Sequence, residues 1–405
     1  MGDIMRIIMH IDVNNAFLSW SAIDLLNNGS KYDIRGSYAV IAGDPKARKG
    51  IVLAKSTPCK KLGIKTAMTL SEAKKLCPSL KVYPPNYSFY SKMSKKLFEL
   101  LSKYTPDIEV ASIDECYLDY TPVKNLYGNE VEFAKKIQQE IYSSLGFTVN
   151  IGIANNKLCA KMASDFTKPN KIHTLYEYEI ETKMWPLEIG ELFGIGKKTS
   201  EQLIKLNIRT IKDLANADVY LLSKYFKNQA INMITIARGI DDSKVNSEYI
   251  APKGISHEIT LINDVSNKEQ LYPYLMELSE KVAIRLRKQK KYAKVICVII
   301  KDNYFKRKTH QKKLKNATNI TSEIYDYTKE ILKEMEIETV RLIGVRLDNL
   351  VTNNDYQVSL FDSFSKKTTD EKFDNVIDKL KDKYGNKIIT KASLKDVNNI
   401  KKDIG

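Results

Sequence analysis

The spacing of apolar and polar positions divides the chain into elements before any chemistry is considered. Residues 5–12, "MRIIMHID", form an apolar run that closes on an acid and predict a buried strand. A helix is expected over 15–28. "SYAVIAG" (37–43) and "GIVLAKS" (50–56) read as two strands joined through a Gly-Asp-Pro turn. "TLSEAKKLCP" predicts a short helix, with Thr69 as N-cap, Glu72 at the capping-box position and Pro78 after its end. Pro84 and Pro85 mark a boundary. Over 90–104, Met93, Leu97, Leu100, Leu101 and Tyr104 share one helical face. "IEVASIDECYLDYT" reads as a β-hairpin with acids at its tip, "EFAKKIQQEIYSSLG" as a helix and "FTVNIGIA" as a strand. Strands alternating with two helices predict a mixed α/β sheet built from 1–15 and 86–175.

The pattern then changes. Residues 185–240 are helical throughout, with "GIGKK" between helices. Residues 250–350 read strand, helix, strand, basic loop, strand, helix, strand, which predicts a separate small α/β domain. After Asn349 the periodicity dissolves, and "KFDNVIDKLKDKYG" in the tail reads as a short helix.

Length and charge sharpen this picture. A chain of 405 residues is long for one core and suggests two to four domains. Its longest apolar runs are strand-length, well short of the roughly 20 residues of a membrane helix. Polar residues within the first apolar stretch argue against a secretory signal. Five scattered cysteines without a CxxC pair argue against a zinc site or disulfide framework, so a reducing cytoplasm is expected. The net charge of +16 calls for a polyanionic partner. Residues 281–315 hold fourteen Lys or Arg against a single acid, Asp302, interleaved with Tyr292, Tyr304 and Phe305. A merely solvated face would mix the two signs.

Asp114 and Glu115 are adjacent acids in an otherwise apolar hairpin. Neighbours on a strand point to opposite faces, so both reach one site only where the strand turns. Two carboxylates there raise at least one pKa unless a cation offsets the repulsion. Hard oxygen ligands, with no His or Cys partner nearby, favour Mg2+ or Mn2+ over zinc. Asp12 ends the first strand; if that strand neighbours the hairpin, three carboxylates converge and can hold two ions. Taken alone, the Asp114–Glu115 pair could equally be a polar hairpin tip.

"MHIDVNNAF", "ASIDECYLDY", "NIGIANNKLCAKMASDFTKPN" and "LFGIGKKTSEQLIKLNIRTIKDL" resemble, in this order and spacing, the Y-family (translesion) DNA polymerases of the bacterial polymerase IV and polymerase V type. The resemblance spans about residues 5–350. It implies an α/β multi-domain right hand: a mixed-sheet palm (1–15 and 86–176), small fingers (16–85), a helical thumb with a helix-hairpin-helix (177–240), a little finger (250–350) and a tail (351–405). It places Asp12, Asp114, Glu115 and the Val13 carbonyl as metal ligands, with two Mg2+ (Mn2+ possible) per site, and Asp114 and Glu115 as catalytic acids. Phe17 matches the steric gate, a ring under the sugar that leaves no room for a 2′-OH. Lys168 matches the triphosphate-binding lysine; Lys157 and Lys161 lie on the preceding helix, Lys161 as a candidate surface charge. Where the family has a Tyr and an Arg in the fingers, Thr57 and Lys60 stand here, with a shorter reach and no bidentate fork. Asn14 replaces the family's usual second acid near Asp12.

The DNA-holding parts follow from the same resemblance. Gly194, Gly196, Lys197 and Lys198 fit a hairpin between helices whose backbone approaches phosphate; alone, the sequence also fits a tight turn. Arg285, Arg287, Lys306 and Arg307 are expected on DNA, with steep salt dependence. Gln357, Leu360 and Phe361 in "QVSLF" resemble the peptide that bacterial polymerases insert into the sliding clamp, the beta ring. The implied function is error-prone, template-directed translesion synthesis from dNTP on primer-template DNA, by a monomer without proofreading. A nucleotide cyclase with a similar palm, or a non-catalytic DNA- or clamp-binding accessory, would share some of these features; the basic domain and the intact acids count against them.

Overall fold

The computed structural model describes residues 5–48, 50–248, 252–352, 364–385 and 388–389. The chain forms two compact units, Met1–Ala42 with Ile51–Tyr249, and Gly43–Gly50 with Ile250–Gly405.

The first unit begins with β1 (Ile8–Val13), α1 (Ala16–Asn27), β2 (Ala39–Ala42), β3 (Val52–Lys55), α2 (Thr57–Lys61), α3 (Leu70–Leu76) and β4 (Lys81–Tyr83). It continues with α4 (Tyr87–Leu101), β5 (Ile108–Val110), β6 (Glu115–Asp119), α5 (Lys124–Tyr127), α6 (Glu130–Leu145), β7 (Val149–Ala154), α7 (Lys157–Asp165) and β8 (Ile172–Leu175). Helices α8 (Lys197–Lys205), α9 (Ile211–Ala215), α10 (Val219–Phe226) and α11 (Gln229–Ala237) complete it. The capping box of α3 forms as the sequence predicts, Thr69 and Glu72 each bonding the other's backbone. Helix α4 starts earlier than expected because Asn86 accepts the Phe89 N–H and opens the helix one turn upstream. Helix α6 ends where Gly146 takes a left-handed φ of 79°.

Five strands make the main sheet in the order β5–β6–β1–β7–β8, and three make a smaller one, β3–β2–β4. Central β1 runs antiparallel to both neighbours. Its odd-numbered side chains Met9, Ile11 and Val13 join Leu97 of α4 and Ile137 of α6 in one core. Its even-numbered side chains face α7, where Ile8 packs with Leu158 and Met162. Gly152 on β7 lets α7 come this close: a Cβ there would lie 2.0 Å from the Ala160 carbonyl oxygen and 2.5 Å from the Ser164 nitrogen.

The second unit holds β9 (Gly254–Val265), α12 (Tyr272–Lys288), β10 (Tyr292–Lys301), β11 (Arg307–Thr318), α13 (Thr321–Glu334), β12 (Val340–Val351) and α14 (Phe364–Tyr384). An antiparallel sheet, β11–β10–β12–β9, packs one face on α12 and α13 around Leu278, Ile296, Ile324 and Val345. Most of the expected basic loop is strand: only the turn between Lys301 and Arg307 is irregular. The tail helix is 21 residues long rather than short. Among the described residues, no helix is long and apolar enough to cross a membrane.

Candidate active site and nucleic-acid interface

The register of the main sheet builds the site. Asp12 lies directly opposite Glu115 on β6 and opposite Asn150 on β7, while His10 lies opposite Tyr117. Directly opposed side chains share a face with Cβ atoms about 5 Å apart. Asp114 falls in the 111–114 turn just before β6, and its carbonyl accepts the Val13 N–H at 3.0 Å. The strand end and the hairpin turn are therefore joined at the two positions that carry the acids. The Asp114 carboxylate accepts from the Ser112 hydroxyl at 2.7 Å. Burial, and then the Asp12 and Glu115 charges, push its pKa up against that bond.

Helix α7 delivers the opposite charge. Lys161 Nζ lies 2.8 Å from Glu115, 3.4 Å from Asp12 and 3.4 Å from Asp165. Lys168 Nζ lies 2.9 Å from both Asp12 and Asp165. Burial opposes the charged form of each lysine, but the surrounding carboxylates win and raise both pKa values. The two lysines play different parts. Lys161 is 9% exposed, so it is a buried counter-charge and not a surface one. Lys168 keeps about a third of its side chain open, at 34%.

His10 also corrects the sequence reading, in which the acids had no histidine partner. It is fully buried, with Nδ1 2.8 Å from Ser164 Oγ and Nε2 3.4 Å from Glu115 Oε2. His10, Asp12 and Glu115 offer ligand atoms that all lie within 4.8 Å of one another. Beside His10 and Lys161, the Glu115 carboxyl falls to about 2. An acid cluster that draws two ammonium groups into itself has the donor chemistry of a divalent cation site.

Asn14 holds the loop that carries Lys168. Its Nδ2 donates to Asn150 Oδ1 at 3.0 Å, and its Oδ1 accepts the Asn170 N–H at 2.8 Å. Asn150 in turn donates to the Ser164 and Thr167 carbonyls. The residue that replaces the family's second acid is thus a buried brace. Phe17 stacks on Tyr90, with ring centroids 4.8 Å apart and planes 10° apart, and meets Tyr87 edge-on. Thr57 and Lys60 stand exposed on the short helix α2, without a described contact to the carboxylates. Asn15 links this region to the site by donating to the Lys55 carbonyl at 2.6 Å.

Gly194 has φ +93°, and Gly196 precedes α8, whose first turn exposes Lys197 and Lys198 and carries no acid. A cationic first turn is unfavourable for the helix dipole unless an anion is added. On β11, Lys312 and His310 turn toward Glu330 and Glu334 of α13, while Arg307 reaches Glu258 at 2.6 Å. Lys306 is exposed, and Arg285 bonds the Ser256 carbonyl. Arg287 departs from the expectation. Its side chain is 7% exposed and bonds Asp374, Asp378 and the Asn319 carbonyl, so no donor of the fork is turned to a polyanion. Gln357, Leu360 and Phe361 lie outside the described residues.

Residues 11–165 match the impB/mucB/samB family, residues 179–208 the IMS family HHH motif and residues 252–360 the impB/mucB/samB family C-terminal domain. A solved Y-family DNA polymerase chimera, Dbh-Dpo4(243-245)-Dbh, superposes with a TM-score of 0.76 at 27% identity, covering 86% of this chain and 100% of its own. The chain belongs to the Y family of DNA polymerases, the translesion class of DNA-directed DNA polymerases. Within that family it is similar to proteins named DNA polymerase IV. The one from Clostridium acetobutylicum is 45% identical over 391 residues, 96% of this chain and 98% of that protein. Those from Alkaliphilus oremlandii and Clostridium kluyveri are 38% and 37% identical, over the same 96% and 98% shares.

Proposed function

We propose that the chain extends a primer 3′-OH from dNTP, on intact and damaged templates, by two-metal nucleotidyl transfer without proofreading. The observation that carries this is the pairing of Asp12 with Glu115 across β1 and β6, with Asp114 in the adjoining turn. Asp12, Asp114, Glu115 and the Val13 carbonyl would hold two Mg2+, which lower the pKa of the primer hydroxyl and neutralise the leaving pyrophosphate. The protein supplies position and counter-charge. Lys168, half-buried on its braced loop, takes a phosphate oxygen of the incoming triphosphate as its hold on Asp12 loosens. Phe17, fixed by Tyr90, lies under the sugar and excludes a 2′-OH. Lys60 and Thr57 offer a point charge and one hydrogen bond from the fingers (16–85). Residues 1–15 with 86–176 serve as palm and 177–240 as thumb, whose Gly194–Lys198 turn binds phosphate. The little finger (250–350) lies along the duplex through exposed bases such as Lys306 and Arg307. "QVSLF" engages the sliding clamp.

The test is primer extension with intact and abasic templates. Asp114→Ala is expected to abolish extension and to keep DNA affinity. Undiminished extension by that variant contradicts the assignment.

A further inference from the structure

We infer that His10 is a positioning residue, which holds Glu115 in register through a Ser164–His10–Glu115 chain of hydrogen bonds. This rests on the reading of Glu115 as a cation ligand. His10 Nε2 lies 3.4 Å from Glu115 Oε2, an approach short of a formed hydrogen bond, and this buried nitrogen has no hydrogen-bond partner among the described residues. A buried polar atom left so is costly, and the near approach to an ionised oxygen supplies its one outlet. Lys161 bonds the same oxygen at 2.8 Å, so the described contacts of Glu115 gather on Oε2 and leave Oε1 for a ligand.

The two donors on Oε2 answer an incoming cation differently. A divalent ion repels the Lys161 ammonium and weakens its hold. The His10 ring, fully buried and in contact with Ser164 through Nδ1, stays in place. His10 is thus the donor that fixes the carboxylate when the ion is present, as hydrogen-bond partners of ligating carboxylates generally do.

The proposal requires one tautomer. For Nε2 to donate to Glu115, Nδ1 must accept, and its one neighbour is Ser164 Oγ at 2.8 Å. The Ser164 hydroxyl has a single proton, and the Lys161 carbonyl, which can only accept, competes for it at 2.8 Å. In the proposed chain that proton goes to Nδ1.

Two substitutions separate the ends of the ring. Glutamine can place its amide nitrogen, a donor, where Nε2 stands, and asparagine its amide oxygen, an acceptor, where Nδ1 stands. His10→Asn keeps the contact with Ser164 and loses the donor on Glu115. It is expected to fold, to bind Mn2+ roughly 10- to 100-fold more weakly by calorimetry, and to lose kcat by a similar factor with little change in the KM for dNTP. His10→Gln restores the donor and recovers most of both losses. Histidine 15N shifts of the full chain, assigned by replacing His173, His257 and His310 in turn, are expected to show the Nε2–H tautomer for His10; Ser164→Ala disturbs it. Equal losses in His10→Asn and His10→Gln, or none in His10→Asn, overturn the proposal in favour of simple packing. An Nδ1–H tautomer overturns it too, because Nε2 would then offer a lone pair and ligate the ion itself. That readout decides even if the substitutions prevent folding. Wild-type protein that binds no Mn2+ sinks the cation reading of Glu115 and this proposal with it, whereas intact binding with indistinguishable variants sinks this one alone.

Discussion

Lys161 carries the charge balance of the site at the scale of single residues. Its ammonium touches Asp12, Glu115 and Asp165 from a buried position. Removing one partner of a buried ion pair leaves uncompensated charge and costs about 3 kcal/mol. Lys161→Met should therefore destabilise the protein by about that much in chelator. Because a divalent cation neutralises the same carboxylates, Mg2+ should restore a larger part of the loss than it adds to the wild type. Thermal unfolding with and without Mg2+ checks this; equal Mg2+ effects in both proteins would contradict the account.

Elements explain why some of these residues were legible in the sequence and others were not. The strand ending at Asp12 and the hairpin turn before Glu115 could be read from local pattern, because alternation and turn chemistry are short-range. His10, Lys161 and Asn14 could not. They matter through β-sheet register and through α7, which lies against β1 only because Gly152 has no side chain. The signal present was the position of His10, two residues before Asp12 and so on the same face. Gly152→Ala drives a methyl into the α7 backbone and should cost about 3 kcal/mol or more, with loss of extension, as measured by urea unfolding beside primer extension. Helix α9 gives a pH test. The Asp213 carboxylate accepts the Arg209 and Thr210 N–H groups, which hold its pKa below the ordinary 3.8. The folded state then binds fewer protons than the unfolded one, so this stabilisation is present above 3.8 and lost as pH falls through the lower folded value. Asp213→Asn should start less stable near neutrality and lose less on acidification, read from urea midpoints at each pH.

Over the whole molecule, charge decides what is bound and where. The excess of +16 and its concentration over residues 281–315 were visible in the sequence, but which of those side chains are paired was not. The tail reads as a charged segment, yet Asp370, Asp374, Asp378 and Asp382 recur every four residues, one stripe of a helix. The structure lays that stripe on Ser322, Arg287 and Lys288. A long-range partner of this kind leaves no trace in the basic run itself, which is why Arg287 reads as a DNA contact. Lys313, by contrast, is exposed on the strand. Lys313→Ala should lower the slope of log affinity for duplex DNA against log salt by about one. Arg287→Ala should leave that slope unchanged and cost about 3 kcal/mol of stability in the second unit, because Asp374 and Asp378 lose their partner.

The most direct measurement counts cations. With primer-template DNA and a non-hydrolysable dNTP bound, Mn2+ titration followed by electron paramagnetic resonance should show two sites in the wild type. Asp12→Asn and Glu115→Gln should each lose at least one of them together with extension. Two intact Mn2+ sites, or wild-type extension, in either variant would contradict the account.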